Sequence, residues 1–123
     1  MQPLSDFKGQ PTFYSFFQPG CESCHKQALS FQCLEQKFPQ KLKVIYIGTF
    51  ADSKMLLREV NKSKLVYQAL ESDENFLKAI GGVKYTPYTL VTNAQGDLVT
   101  KIPGSYSCQQ FVSLVNEKKL LNN

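Results

Sequence analysis

The chain has 123 residues, 42% hydrophobic and 20% charged, with a net charge of +4. That suits one compact soluble domain over residues 1–123 and leaves little room for a second. The lysines are scattered and end in a short Glu117-Lys118-Lys119 group, so the charge forms no stripe for nucleic acid. No apolar run approaches the roughly 20 residues of a membrane span. The first residues also lack a charged segment followed by an apolar one. The chain therefore reads as soluble and without a leader, as would a mature exported domain begun from an added Met1.

Thr12 to Phe17 is a short strand-type run in which Phe13, Tyr14, Phe16 and Phe17 are set to pack on alternate faces, and Gln18-Pro19-Gly20 breaks it. A helical pattern follows, with Ala28, Phe31, Leu34 and Phe38 at helical spacing from Cys24 and Pro39 as its stop. Leu42 to Gly48 is a nearly continuous apolar strand, the pattern of a parallel strand covered on both faces. An amphipathic helix from about Asp52 to Asn61 comes next, then a short edge strand at Lys64 to Tyr67. A helix at Ser72 to Ile80 is stopped by Gly81-Gly82. Tyr88 to Thr92 and Leu98 to Ile102 are strands joined by Asn93-Ala94-Gln95-Gly96 into an antiparallel hairpin. The last helix runs from about Cys108 to Leu120, with Phe111, Leu114, Val115 and Leu121 as its apolar stripe. This order predicts an α/β three-layer sandwich, a mixed central sheet of four to five strands flanked by about four helices.

The chemistry concentrates at Cys21-Glu22-Ser23-Cys24, where a strand runs into a helix start. Two thiols three apart can close a small disulfide, and the helix N-terminus offers unpaired N–H groups and a positive dipole end that favour a thiolate. Cys21, the outer thiol, is the natural nucleophile, and Cys24, one turn inside, is the resolving thiol. Glu22 and Ser23 lie between them and tune the potential. The charge of Glu22 opposes a thiolate at Cys21, which makes the couple more reducing. His25 either acts on the thiols electrostatically or is a solvated first-turn residue.

CESCH also fits the CxxCH signature of c-type haem attachment with His25 as axial ligand, but its place after a strand in an α/β chain opposes that use. Four cysteines and one histidine could in principle bind zinc. Cys33 lies nine residues beyond Cys24, on the opposite side of a helix, and Cys108 is far along the chain, so no metal and no cofactor is expected. Cys33 and Cys108 read as small half-buried fillers, which an exported protein could join in a structural disulfide if the fold brings them together.

Thr86-Pro87 at a strand start gains meaning only beside the CxxC. The combination resembles the thioredoxin fold, and most of all the exported TlpA/ResA-like thiol–disulfide oxidoreductases. Leu4-Ser5-Asp6-Phe7-Lys8-Gly9-Gln10-Pro11 resembles their LSDLKGKP approach to the first core strand. Tyr85 to Val91 with Asn93 to Val99 resembles their VPTTFLID-x-x-G-x-IV stretch, so the likeness covers nearly the whole chain. The resemblance implies a periplasmic or otherwise extracytoplasmic enzyme that reduces protein disulfides, fed by a membrane thiol reductase. It raises apocytochrome c or a copper-site assembly protein as clients. It further implies a cis Thr86–Pro87 bond beside the cysteines, with backbone there that pairs with an extended substrate and a ring that keeps metal from the thiols. With no long apolar helix face left over, a monomer is expected.

The chain departs from that family at several positions. Gly20 stands where relatives commonly have Trp, Gln27 where they often carry an acid, and Ser15 where cytoplasmic thioredoxins keep a buried acid. The N-terminal hairpin of exported relatives is missing. An amide cannot relay a proton, so deprotonation of Cys24 must rely on water or another group.

Overall fold

The computed structural model describes residues 9–18, 21–48, 69–71 and 86–121. β1 (Thr12–Phe17) is the centre of a five-stranded sheet, with β2 (Lys43–Gly48) and β3 (Ala69–Glu71) on one side and β4 (Tyr88–Thr92) and β5 (Leu98–Pro103) on the other. β1, β2 and β3 run parallel, while β4 is antiparallel to β1 and β5 to β4. α1 (Glu22–Lys37) and α2 (Cys108–Glu117) are the helices among the described residues. The sheet is mixed and five-stranded, within the expected class. The expected helices at Asp52–Asn61 and Ser72–Ile80 and the edge strand at Lys64–Tyr67 lie outside the described residues. The edge strand the structure does show is Ala69–Glu71.

All six β1 residues are buried, which explains why this strand carries four aromatics and no charge. Phe13 and Phe17 face α1 and α2, in one cluster with Phe31, Tyr46, Val91 and Phe111. Tyr14 and Phe16 take the other face, where Ile45, Ile47 and Leu90 are also buried. Phe31 is the hub: its ring stacks on Phe111 at 4.5 Å and meets Phe13 and Tyr46 edge-on at 5.9 and 6.1 Å. Burying such a side chain stabilises the fold by about 1.5 to 3 kcal/mol, plus about 1 kcal/mol for each well-placed ring pair.

Local chemistry sets the helix ends. Phe38 caps α1 by donating its N–H to the Leu34 carbonyl at 3.1 Å, and Pro39 follows. Ser107 and Gln110 form a reciprocal capping box at the start of α2. α2 ends at Glu117, earlier than the expected Leu120, because Lys119 turns to φ 50. The Lys119 N–H then meets the Asn116 carbonyl and the Leu120 N–H meets that of Val115, the pairing of a Schellman motif. The turn breaks helical phase. Leu120, at 4% exposure, enters the core, whereas Leu121, expected in the stripe, is only partly buried against it.

At the far end of the sheet, the side-chain oxygen of Asn93 accepts from the N–H groups of Gln95 and Asp97, and Gly96 sits at φ 90. This is the expected hairpin. It leaves the opposite end of β4, beginning at Tyr88, next to the C-terminal end of β1 through the Phe16 to Tyr88 pairing.

Candidate active site

That antiparallel register brings the CxxC and Thr86-Pro87 together. β1 delivers the chain to Cys21, while Thr86 and Pro87 lead into β4 at the same end of the sheet. Cys21 is the N-cap of α1, in extended backbone, and its sulfur accepts the Cys24 N–H at 3.2 Å. Cys21 and Cys24 form a disulfide with Cα atoms 5.2 Å apart. The Thr86 hydroxyl donates to the same Cys21 sulfur at 3.5 Å, and the Thr86–Pro87 peptide is cis. Pro87 is buried, and its carbonyl accepts the Gly104 N–H at 3.0 Å.

The two sulfurs differ in access. Cys21 is half-buried, whereas Cys24 is 9% exposed and belongs to the core cluster. A partner thiol can therefore approach Cys21 far more readily than Cys24. Glu22 and Ser23 are exposed on the first turn, and His25 is half-buried just past it. A small cavity of about 10 Å³ opens beside Cys24, lined by Ser15, Phe17, Gln18, His25, Ala28 and Tyr46. A larger hollow of about 240 Å³ lies along α2, from Tyr106 to Glu117, and neither cysteine of the CxxC lines it. Among the described residues no group of three or more His, Cys, Asp and Glu is placed to hold a metal ion.

Two features escape a reading by motif. Gln27, 1% exposed, turns its amide to Tyr106: its nitrogen donates to the Tyr106 carbonyl at 3.0 Å and its oxygen accepts the Tyr106 N–H at 2.9 Å. A glutamine on the stripe shared by Cys24, Ala28 and Phe31 signals such a clamp, since buried amides are hydrogen-bonded. Cys33 and Cys108 are joined in a second disulfide, Cα atoms 5.9 Å apart, instead of serving as fillers. Helix phase turns Cys33 away from Cys24 and towards the start of α2, where Cys108 lies. No cysteine of the chain is free.

The sequence matches the model of a thioredoxin-like domain over residues 6–119. The chain belongs to the thioredoxin-like family, and with the Cys21–Cys24 disulfide at its helix start it is a thiol–disulfide oxidoreductase of that family. Among solved structures it is similar to a thioredoxin-family thiol:disulfide interchange protein from Chlorobium tepidum, at 18% identity over 95% of this chain and 83% of that one, with TM-score 0.79. It is similar also to a secreted Mycobacterium tuberculosis disulfide oxidoreductase homologous to E. coli DsbE, at 23% identity, 91% and 84% coverage and TM-score 0.72. StoA from Bacillus subtilis follows at 18% identity, 86% and 82% coverage and TM-score 0.70. At these identities the likeness establishes the shared fold, and these neighbours are of the kind the TlpA/ResA-like motifs implied. The search of curated proteins gives no match.

Proposed function

We propose that this protein reduces disulfides of protein clients outside the cytoplasm, with Cys21 as nucleophile and Cys24 as resolving thiol. The Cys21 thiolate attacks a client disulfide and forms a mixed disulfide. Cys24 then attacks Cys21, releases the reduced client and closes the Cys21–Cys24 bond, which a separate thiol reductase reopens. The observation that carries these roles is the asymmetry of the pair. Cys21 is reachable and receives two hydrogen bonds at the helix start, whereas Cys24 is enclosed. With the Pro87 carbonyl occupied by Gly104, pairing with an extended client falls to the Thr86 backbone.

The reducing direction is supported by Glu22, whose charge beside Cys21 opposes the thiolate that the helix start favours. Ser23 and His25 complete the set that tunes the couple. An extracytoplasmic site is supported by the Cys33–Cys108 disulfide, a bond that oxidising compartments maintain. No described helix is long and apolar enough to cross a membrane. The c-type haem alternative needs both sulfurs as thioethers, whereas here they are bonded to each other. It would show as a Soret band resistant to organic extraction.

The deciding test is the reduction potential of the Cys21–Cys24 couple, measured in dithiothreitol or glutathione buffers by alkylation, in a Cys33→Ser, Cys108→Ser background. A value near that of thioredoxin, about −270 mV, supports the reductase, and a value towards about −120 mV turns the assignment to disulfide formation.

A further inference from the structure

Resolution of the mixed disulfide requires Cys24 to lose a proton, and Cys24 is nearly enclosed. The position one turn further on cannot take it, because the Gln27 amide is neutral and already committed to both backbone groups of Tyr106. The polar groups facing Cys24 lie on the other side, around the cavity of about 10 Å³ lined by Ser15, Gln18, His25 and Tyr46. That volume is about the least that holds one water, which also needs two to four polar partners.

Two further features of this face suit a bound water. Ser15 pairs in register with Tyr46 of β2 and with Thr89 of β4, so the three side chains share the face that packs on α1. The Thr89 hydroxyl is wholly buried without a hydrogen-bond partner, a state that calls for a bound water or an equivalent group. His25, half-buried, also lines the cavity.

We propose that a water held between Ser15 and Cys24 takes the Cys24 proton and passes it to His25, which releases it to solvent. This rests on the assignment of Cys21 as nucleophile and Cys24 as resolving thiol. The proton leaves Cys24 through the water to the imidazole, and the Cys24 thiolate forms a bond to the Cys21 sulfur. The bond from Cys21 to the client breaks, and the client departs as a thiolate with the electron pair. The protein dithiol is oxidised by two electrons and the client disulfide reduced by two. Among the described residues, Tyr46 from β2 is the other ionisable side chain lining this path, Cys21, Glu22 and Lys26 neighbour it in sequence at the start of α1, and β1 contributes only uncharged Ser15 and Phe17, with Gln18 just beyond its end.

The test uses the reduced full chain and an aromatic disulfide whose released thiol is coloured, followed by stopped flow across neutral pH. Cys21 attack releases a first equivalent of coloured thiol, and Cys24 attack releases the second. In His25→Gln and Ser15→Ala the second release should slow by about a hundredfold relative to the first in the same trace, the low end for a positioned acid–base group. Added imidazole should restore the second release in His25→Gln and leave Ser15→Ala slow. A second release with the wild-type rate and pH profile in both variants overturns the proposal. So does a slowing in His25→Gln that imidazole does not relieve. Failure of the parent assignment looks different: the wild type gives no two-stage release, or Cys24→Ser still gives the second stage.

Discussion

The two disulfides are the same bond put to different uses, and their surroundings show why. Cys21–Cys24 spans three residues at a helix start, with one sulfur reachable and hydrogen-bonded to Thr86. Cys33–Cys108 spans 75 residues and ties the second half of α1 to the first turn of α2. Loop-closure entropy assigns about 4 kcal/mol to a link of the second length and about 2 kcal/mol to the first, as upper figures. Opening the short bond in each catalytic cycle therefore costs the fold little. Opening the long one would forfeit about 4 kcal/mol by the same measure, while Phe31 still stacks on Phe111 between the two helices. α1 is thus active at its N-terminal end and stapled further along, with the Gln27 clamp between the two.

This contrast can be broken most sharply at Cys21. Cys21→Ser should reduce turnover of a protein disulfide, followed by insulin precipitation with a dithiol donor, to the uncatalysed rate, with urea stability changed by no more than about 2 kcal/mol. Retained turnover would move the nucleophile elsewhere. The paired Cys33→Ser, Cys108→Ser variant should do the converse, losing about 2 to 4 kcal/mol in a urea melt while keeping exchange.

The sheet behind both bonds gives a pH test. Burial pushes the Tyr14 hydroxyl up to about 12, against a smaller opposing effect of its hydrogen bond to Thr92. The fold favours the protonated phenol, so this stabilisation is complete below the ordinary value near 10 and is lost as pH rises from there through about 12. Stability on the order of 2 to 3 kcal/mol at most should disappear over that window. Tyr14→Phe should flatten the alkaline slope of a denaturant series, and an unchanged slope would mean that Tyr14 does not control it.

Thr86→Val removes one donor from the Cys21 sulfur, worth about 1 kcal/mol, so the first step of exchange near neutral pH should slow about fivefold. Unchanged kinetics would leave only the helix start to activate Cys21. The smallest effect belongs to the frame: Lys119→Gly relieves a left-handed residue at the Schellman turn and should raise stability by about 0.5 to 1 kcal/mol without touching exchange.

What the sequence disclosed followed from how local each signal is. β1 could be placed at Thr12–Phe17 because an aromatic-rich run ends in Gln18-Pro19-Gly20, and the hairpin because Asn93 and Gly96 carry its turn chemistry. The CxxC and Thr86-Pro87 were recognisable because each is a short motif, and their meeting followed from the fold that the pair suggested. Gln27 was legible as a missing acid and, on its apolar stripe, as a buried amide needing partners, but not as the clamp on Tyr106, which lies 79 residues away and contributes only backbone. The Cys33–Cys108 bond depends on the angle at which α2 meets α1, which no spacing encodes. Leu120 took the place expected of Leu121 because the turn at Lys119 has no glycine to announce it.

β5 closes one side of the sheet, with an exposed Lys101 along it and Pro103 at its end. Outer strands with unpaired backbone invite other chains to add to them, and lysine and proline discourage this. An enzyme that exchanges disulfides with other proteins meets polypeptide partners repeatedly. Among the described residues, β5 carries the lysine and proline that discourage such addition, which leaves self-templated aggregation a poorer foothold along this edge.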